Sequence, residues 1–462
     1  MSSEPHQASS VAVCDVLVIG GGITGATTAL ALALACPASA IILVEAHEPV
    51  STSPATEPDF SAPGLRVSAL NLQSERFLRS IGVWPHLEAH RLKPYRALQV
   101  AENPDSGTQA TAEQSLGGTT FSIEDLQDPG IQHLGTILEN DRLQRGIWQA
   151  MAKLPNLTLR QAELLDLTQL MPEGVEAKLK SGDGERETVK ARLLIGADGA
   201  ASSVRVKAGI RQMAEGYAQK ALVIGVELDE LAGDKTWQLF RPQGPVAYLP
   251  LFDCTEAGEE HCAAYASLVW YDAPQRIQAL MQLDVEELLQ QVLTTFPASL
   301  PRVRKIYGRA AFPLVKSHCT SYSRGSVVLV GDAAHTVNPL AGQGLNMGLQ
   351  DAEALSTSLR AELASPSLPG SGGLQRALAI YERQRKPQNL LMTATVDAFY
   401  YTFSNDIGPL KALRRLGLSI ADRAGPLKRR VLQHALGLDQ AGEPAGTGPR
   451  AGETEPARLY PE

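Results

Sequence analysis

The sequence predicts an α/β protein built from two or three lobes, one of which contains a parallel sheet. A strand, a glycine-rich turn, a helix and a second strand follow one another within residues 11–45, an order that gives a right-handed crossover. Two further short apolar runs later in the chain are each followed by a glycine and an aspartate. Around residues 225–270 the chain becomes rich in Val, Leu, Tyr and Trp with turns between, which indicates a second sheet.

Each element follows from the local sequence. Strands are assigned to runs of β-branched and apolar residues, and loops to stretches rich in Pro, Ser, Thr and Gly. In chain order the predicted segments are a loose end at 1–10, a strand at 11–19, a turn at 20–25, a helix at 26–35, a strand at 40–44, loops at 50–63 and 103–119, short strands at 193–195 and 327–330, a linker at 364–373, helices over 374–438 and a disordered tail at 440–462.

Composition indicates a globular protein and excludes a nucleic-acid partner. Charged residues make up 20% of the chain and the formal net charge is −8, whereas binding to phosphate backbones requires a basic field. The five cysteines are scattered without metal-ligand or redox spacing, so we expect reduced thiols, a cytoplasmic location and no metal site. The uncharged stretch 16–35 has the length of a membrane span, but its three consecutive glycines favour a buried strand, turn and helix.

The first motif that carries chemistry is a G-x-G-x-x-G hexad formed by Gly20, Gly22 and Gly25. It follows a strand and opens a helix, where glycines permit a tight turn and let backbone N–H groups approach a pyrophosphate. Glu45 ends the next strand, 20 residues beyond Gly25, where its carboxylate can accept hydrogen bonds from an adenosine ribose. The hexad therefore predicts a bound dinucleotide, although it does not distinguish NAD from FAD.

The two later motifs favour FAD. One contains Asp198, and the other begins at Gly331 and places Asp332 at the carboxyl end of a strand, where it can hold a ribityl hydroxyl. Pro339 then turns the chain, and Gly342 and Gly344 leave N–H groups uncovered at the start of a helix. Those donors and the helix dipole suit the negative charge of a reduced flavin.

These three motifs, in this order, resemble the single-component flavoprotein aromatic hydroxylases, and more narrowly the hydroxylases of ubiquinone biosynthesis. The resemblance covers about residues 13–438 and is carried most clearly by residues 66–71, 139–144, 331–348 and 405–438. It implies a p-hydroxybenzoate-hydroxylase-like fold, in which an inserted, mostly antiparallel β-sheet domain binds the substrate. The implied domains are a discontinuous Rossmann-type FAD-binding domain at 11–93, 130–215 and 308–364, the substrate domain at 94–129 and 216–307, and a helical C-terminal region at 374–438.

The resemblance also implies a role for particular residues. The hexad glycines and Glu45 would hold the AMP half of FAD, and Arg66 would contact the cofactor between its pyrophosphate and flavin ends. Arg66 is also compatible with an ordinary surface arginine. Asp198 belongs to a motif that serves both FAD and the reductant, Asp332 would hold the ribityl chain, and the flavin ring would lie against Leu345 and Asn346. His335 is compatible with a packed or a catalytic histidine, and the sequence identifies no catalytic acid or base.

The implied reaction is hydroxylation of the aromatic ring of a prenylated quinol, with O2 and with NAD(P)H or another electron donor as cosubstrates. Hydroxylation at a different ring position and a non-catalytic flavin-binding scaffold of a quinone-synthesis complex are the alternatives. The basic, amphipathic residues 411–430 fit either a helix packed on its own protein or one that contacts the inner membrane or a partner enzyme. The aromatic residues of the second sheet fit core packing, with a quinone pocket as the alternative: Trp237, Tyr248, Trp270 and Tyr271.

Overall fold

A computed structural model describes residues 11–47, 59–102, 118–170, 174–254, 264–339, 342–364, 372–403 and 425–438. Most of the predicted linker, the predicted tail and residues 411–424 of the basic stretch lie outside these ranges. Within them the strands are β1 (Val11–Ile19), β2 (Ile41–Glu45), β3 (Val67–Asn71), β4 (Lys93–Tyr95), β5 (Ala97–Glu102), β6 (Gly118–Ser122), β7 (Gly135–Glu139), β8 (Leu157–Leu170), β9 (Gly174–Ser181), β10 (Arg186–Gly196), β11 (Gln212–Leu228), β12 (Lys235–Phe240), β13 (Val246–Asp253), β14 (Ala264–Asp272), β15 (Val303–Cys319), β16 (Ser323–Arg324), β17 (Val327–Leu329) and β18 (His335–Thr336).

The helices lie between these strands and at the C-terminal end of the described chain. They are α1 (Ile23–Ala35), α2 (Leu72–Ser80), α3 (Ile123–Leu126), α4 (Asn140–Met151), α5 (Ser203–Lys207), α6 (Pro274–Gln282), α7 (Val285–Thr295), α8 (Gln343–Ala364), α9 (Gly373–Phe403) and α10 (Gly425–Ala435). Among the described residues no helix is long and apolar enough to cross a membrane. The uncharged stretch 16–35 is divided into β1, a turn and α1, as predicted.

The first sheet has seven strands and contains the parallel core that the sequence predicts. β1 pairs in parallel with β2 on one side and with β10 on the other, and β17 continues the parallel order beyond β10. β8 pairs in parallel with β2, while β9 runs antiparallel to both β8 and β10. The small residues of α1 let it pack closely on this sheet, so that Ala26, Ala29 and Leu30 are buried.

The second sheet has eight strands in the order β18-β15-β11-β14-β13-β12-β5-β6 and is antiparallel except where β5 pairs with β12. β11 and β15 are each 17 residues long. Residues 215 and 216 lie within β11, and residues 307 and 308 lie within β15, so these strands run through the predicted domain boundaries. A third, smaller sheet has the order β3-β7-β4.

The two faces of the second sheet have different neighbours. On one face, alternate residues of its central strands pack against α6 and α7, and Trp237, Tyr248 and Trp270 belong to this buried cluster. Tyr271 is buried on the opposite face beside Leu314. The core interpretation of these four aromatic residues is therefore confirmed. On the opposite face, Phe240 and Val100 pack near Val337 and Met347 of the third glycine motif.

Candidate functional site

The topology of the first sheet brings the three motifs to one edge. β1, β10 and β17 are neighbouring parallel strands, so their carboxyl ends lie side by side. Gly20 follows β1, Asp198 follows β10 and Asp332 follows β17. Ligands of open α/β sheets bind at such an edge. Segments separated by more than 300 residues of sequence thus form one site.

Two of the hexad glycines are required by close backbone contacts within the protein, and the third leaves open space. Gly20 has a φ of +104°, and a Cβ there would lie 2.5 Å from the carbonyl oxygen of Ala197. A Cβ on Gly25 would lie only 1.9 Å from the carbonyl oxygen of Gly20. Around Gly22, by contrast, a Cβ would meet no described atom within 4 Å. Gly22 is the N-cap of α1, so the backbone here is open to a ligand at the positive end of the helix.

The carboxylate of Glu45 lies beside the hexad. Its Oε2 accepts a hydrogen bond of 2.6 Å from the N–H of Gly21, and its Oε1 lies 3.1 Å from both the backbone N and Nδ1 of His47. On the other side, Gln144 and Trp148 of α4 each donate a 3.0 Å hydrogen bond to the carbonyl oxygen of Gly21. These contacts fix the turn, and the sequence motifs did not reveal the part played by Trp148.

Thr24 joins the first motif to the third. A Cβ on Gly348 would lie 2.6 Å from Thr24 Oγ1, and a Cβ on Gly331 would lie 3.0 Å from Thr24 Cγ2. Gly331 also has a φ of +58°. α1 therefore approaches α8 and the turn after β17 at a distance that only glycine permits.

Asp332 lies in the turn after β17. Its side chain is exposed to solvent, yet surrounding protein atoms desolvate it and raise the pKa of its carboxyl above the usual value, against the opposing influence of His335 and Arg66. A partly desolvated carboxylate needs hydrogen-bond donors, and a sugar-like hydroxyl supplies one. Arg66 is itself exposed, immediately before β3.

Asp198 is hydrogen-bonded within its own loop. Its carboxylate accepts hydrogen bonds from Ser202 Oγ at 2.5 Å, from the N–H of Ser203 at 2.6 Å and from the N–H of Val204 at 3.1 Å. The side chain therefore holds the start of α5 in place. A role toward FAD or the reductant remains a prediction.

Asn346 connects the start of α8 to β3. Its Oδ1 accepts a 3.0 Å hydrogen bond from the N–H of Asn71, and its Nδ2 donates to the carbonyl oxygen of Ala69 at 2.9 Å. The Asn346 side chain thus positions the strand that follows Arg66. Leu345, the other residue predicted to lie against the flavin ring, is half-buried.

The loop before α8 retains the predicted openness. Pro339 is exposed, Gly342 has a φ of +61°, and the nearest atom to a Cβ on Gly344 is 3.8 Å away, on Val337. Residues 340 and 341 between them lie outside the described chain.

A buried polar network centred on Asp351 supports the turn after β17. This fully buried carboxylate accepts hydrogen bonds from Gly331 N–H at 3.1 Å, Arg385 Nε at 2.8 Å and Asn389 Nδ2 at 3.1 Å, and lies 2.5 Å from His335 Nε2. Burial alone would raise the pKa of Asp351, but His335 and Arg385 hold it well below its usual range. Gly331 and His335 flank Asp332, so the network fixes the backbone on both sides of it. His335 is thus a packed, hydrogen-bonded histidine.

A second buried ion pair supports the segment before Arg66. Arg91 Nη1 lies 2.9 Å from Glu139 Oε1, and Arg91 also donates to the carbonyl oxygens of Asp59 and Ser61. Glu139 accepts a 3.1 Å hydrogen bond from the N–H of Gly64. Single charged residues of this kind carry no motif, so their role could not be recognised from spacing.

The face of the second sheet opposite α6 and α7 carries a row of half-exposed, mostly apolar residues. The row crosses six strands through neighbouring register positions, and we call it the open stripe: Val100, Gln238, Ala247, Val269, Val223 and Ala310. At one end Val100 packs near Val337 and Met347 of the third motif. Near the other end, a Cβ on Gly308 would lie 3.2 Å from Leu65, the residue before Arg66. The open stripe therefore faces the dinucleotide site.

The arrangement fits FAD. It offers an open helix N-terminus at Gly22, a carboxylate beside it, and a partly desolvated carboxylate after β17, followed in the chain by a second glycine-rich helix start. The chain also matches the model of the FAD binding domain family over residues 13–393. The chain belongs to this family.

Curated relatives of the FAD binding domain family match nearly the whole chain. The 3-demethoxyubiquinol 3-hydroxylase of Escherichia coli is 38% identical over 424 residues, which cover 92% of this chain and 98% of the relative. Ubiquinone hydroxylase UbiL of Rhodospirillum rubrum is 33% identical, covering 95% of this chain and 93% of the relative. The mitochondrial ubiquinone biosynthesis monooxygenase COQ6 of Xenopus tropicalis is 31% identical, covering 92% and 93%.

Solved structures of the same fold confirm the predicted fold class. The p-nitrophenol 4-monooxygenase PnpA of Pseudomonas putida has a TM-score of 0.72 at 18% identity, covering 92% of this chain and 98% of that one. PqsL of Pseudomonas aeruginosa, a probable FAD-dependent monooxygenase, has a TM-score of 0.66 at 20% identity, covering 88% and 99%. The predicted cofactor and enzyme class are likewise confirmed: the protein is an FAD-dependent oxidoreductase of the monooxygenase type.

Proposed function

We propose that this enzyme hydroxylates the ring of a prenylated benzoquinol in ubiquinone biosynthesis, at the demethoxyubiquinol step. The observation that carries the proposal is the 38% identity, over nearly the full length of both chains, to a 3-demethoxyubiquinol 3-hydroxylase. The open stripe supports it, because an apolar face turned toward the FAD site suits a substituted aromatic ring with an apolar tail. In this proposal the substrate domain comprises residues 94–129 and 216–307.

The reaction replaces a ring C–H bond with C–OH. One atom of O2 enters that bond and the other leaves as water, with two electrons and one proton taken from NAD(P)H or another donor and a second proton taken from solvent. Bound FAD supplies the redox chemistry that passes these electrons to oxygen. The quinol ring is already activated by its own hydroxyls, so the reaction does not require a strong base from the protein.

The proposed duty of the protein is to hold FAD and substrate and to exclude water. Gly20, Gly22, Gly25 and Glu45 hold the AMP half of FAD, and Asp332 takes the ribityl chain. Arg66 and the open helix start at Gly342 and Gly344 lie toward the flavin, with Leu345 and the backbone of Asn346 against its ring. The apolar members of the open stripe keep the reacting ring dry, which prevents wasteful reduction of oxygen.

A strain that lacks the gene tests this proposal. It should accumulate the prenylated ring that carries one methoxy group and the methyl group but not the final oxygen. The wild-type gene should restore ubiquinone, and an Asp332→Ala gene should not. Accumulation of an earlier prenylphenol would move the reaction to another ring position. Restoration by a variant shown to be free of FAD would instead support a non-catalytic scaffold.

We further propose a cytoplasmic enzyme that contacts the membrane surface peripherally, since its proposed substrate is a lipid. The support is a pair of exposed apolar side chains on α9, Leu390 at 44% and Leu391 at 57% exposure. Met213 of β11, at 67% exposure, lines the same cavity as Leu390. A cavity of about 330 Å³ opens between α9 and the ends of β11 and β15 at this place. The chain then continues toward the basic residues 411–430, which favour an anionic surface.

Sedimentation with vesicles of anionic phospholipid measures this contact. The Leu390→Glu/Leu391→Glu variant should bind several-fold less than the wild type. Leu293→Glu is the matched control, because Leu293 is 48% exposed on α7 and should bind unchanged. If all three proteins bound the vesicles equally, the proposed contact between α9 and the membrane would be wrong.

A further inference from the structure

A β-bulge redirects one tyrosine onto the face of the second sheet that looks toward the FAD site. Gly225 of β11 pairs with Gly308 of β15, whereas the next residue, Val226, pairs with Ile306. Tyr307 is therefore the extra residue of the bulge. Bulges of this kind re-aim side chains and occur often beside active sites.

Gly225 provides the space for the re-aimed ring. A Cβ on Gly225 would lie 2.3 Å from Cζ and 2.6 Å from the hydroxyl oxygen of Tyr307, so the phenol lies directly across this glycine. The neighbour of Gly225 on the other side, in β14, is Ser267. Bulge, glycine and serine thus place two hydroxyl groups next to each other on one face of the sheet.

These two hydroxyls have no hydrogen-bond partner among the described residues. The Tyr307 hydroxyl and Ser267 Oγ are both inaccessible to water, and Ser267 as a whole is only 2% exposed. Buried polar groups in folded proteins are nearly always paired, so two unpaired neighbours on one face of the sheet form a candidate site for a hydrogen-bonding ligand. Burial also raises the pKa of Tyr307 well above its usual value, so the phenol remains a hydrogen-bond donor at physiological pH.

Their position suits a substrate. Three members of the open stripe lie two residues away on the same strands: Val269 from Ser267, Val223 from Gly225 and Ala310 from Gly308. The two hydroxyls therefore form the buried edge of the open stripe. Gly308, beside Tyr307, is the residue that approaches Leu65 next to Arg66. The two hydroxyls therefore lie between an apolar surface and the FAD-binding elements.

We propose that Tyr307 and Ser267 bind one ring oxygen of the quinol substrate and so determine which ring carbon is presented for hydroxylation. Tyr307 donates its hydroxyl hydrogen to the ring oxygen, and the ring hydroxyl donates to Ser267 Oγ. A single phenolic oxygen satisfies both groups, since it accepts one hydrogen bond and donates another. This inference rests on the proposed function, which supplies the quinol.

Tyr307→Phe and Ser267→Ala test the proposal in the FAD-loaded enzyme. Removing an unpaired buried hydroxyl does not cost a native hydrogen bond, so both variants should keep the wild-type melting temperature and FAD content. Binding of a short-tailed demethoxyquinol, measured by its quenching of protein or flavin fluorescence, should weaken about tenfold in each variant. Turnover should release more hydrogen peroxide per NAD(P)H consumed, and a second hydroxylated isomer should appear.

Thr27→Val is the matched control. Thr27 Oγ1 is also buried without a partner among the described residues, but it lies within α1, away from the second sheet. This variant should bind the quinol as the wild type does. If Tyr307→Phe and Ser267→Ala bind the quinol normally and give one product, the proposal is wrong even though the enzyme is a quinol hydroxylase. If the wild type neither binds nor hydroxylates the quinol, the proposed function fails instead.

Discussion

Asp351→Asn is the substitution that most directly tests how the third motif is held. Asp351 is fully buried, and four groups from two parts of the chain, residues 331–335 and α9, converge on its carboxylate. The asparagine has nearly the same shape but no charge, and it leaves the Arg385 guanidinium, itself 1% exposed, without its ionic partner. Breaking a buried pair by neutralising one member typically costs about 3–5 kcal/mol. We expect a loss of unfolding free energy in this range.

The same change should weaken FAD binding, because the backbone on both sides of Asp332 loses its anchor. The dissociation constant of FAD, measured by the recovery of its fluorescence on dilution, should rise at least tenfold. Urea unfolding followed by tryptophan fluorescence measures the stability of the same samples. Glu163→Gln, which neutralises an exposed carboxylate on β8, is the control and should change neither quantity.

A double-mutant cycle separates the ion pair from its surroundings. Asp351→Asn/Arg385→Gln contains no unpaired charge, so it should be less destabilised than the sum of the two single variants by about 1 kcal/mol or more. Two results would refute this reasoning: additive single changes, or an Asp351→Asn protein that keeps its wild-type stability and FAD affinity.

Three further predictions concern the cofactor site and its support. Gly25→Ala should prevent the hexad turn from folding and leave little soluble protein, because its Cβ would collide with the backbone of Gly20. Gly22→Ala should fold with a wild-type circular dichroism spectrum but bind FAD more weakly, because its Cβ would contact only the ligand. Asp332→Ala should lose most of its FAD, since a hydrogen bond to a charged group contributes roughly 1.5–3 kcal/mol, and Glu45→Ala should lose less; flavin released by heat and quantified by absorbance measures both. Burial, reinforced by His335 and Lys386, lowers the pKa of His318 to about 4, so the folded state keeps this ring neutral while the unfolded chain takes up a proton below its ordinary pKa. Stability should therefore fall by about 1.4 kcal/mol between roughly pH 7.5 and 5.5, and His318→Gln should flatten this slope in urea titrations.

Each of these predictions has an outcome that contradicts it. Soluble, yellow Gly25→Ala protein would show that the hexad turn tolerates a Cβ. Full flavin occupancy of Asp332→Ala at micromolar concentration would move the ribityl site elsewhere. An unchanged pH slope in His318→Gln would assign the proton uptake to another histidine.

The cofactor half of the molecule could be predicted from sequence because its requirements are local. A tight turn, a helix N-terminus and a carboxylate after a strand each depend on neighbouring residues, so Gly20, Glu45 and Asp332 are recognisable at fixed spacings. The extent of the strands was less predictable. β10 was expected only at residues 193–195, but it begins at Arg186, because its first, partly polar half pairs with β9. Pairing with a distant partner can extend a strand into residues whose own preference is weak.

The groups that support the site could not be predicted, because their function depends on tertiary contact. Asp351 and Arg385 lie 34 residues apart on different helices, and neither belongs to a pattern with a fixed spacing. The same holds for Arg91 and Glu139. Nothing in the local sequence distinguishes such residues from charges on a solvated helix face, and only their burial reveals the role.

The two halves of the molecule carry different chemical groups, and this difference explains why the sequence identifies no catalytic acid or base. In the cofactor half, the groups proposed to hold FAD are backbone N–H groups and a few carboxylates, which belong to recognisable sequence motifs. In the proposed substrate half, the open stripe is aliphatic except for the amide of Gln238, and the hydroxyls of Tyr307 and Ser267 lie at its edge; all three groups stay neutral at physiological pH. Neutral groups of this kind can orient an aromatic ring and exclude water, but they are poor proton donors and acceptors. The proposed function therefore assigns the chemistry to the bound cofactor and the electron-rich substrate, and it assigns the selectivity to the place where the sheet would hold the ring.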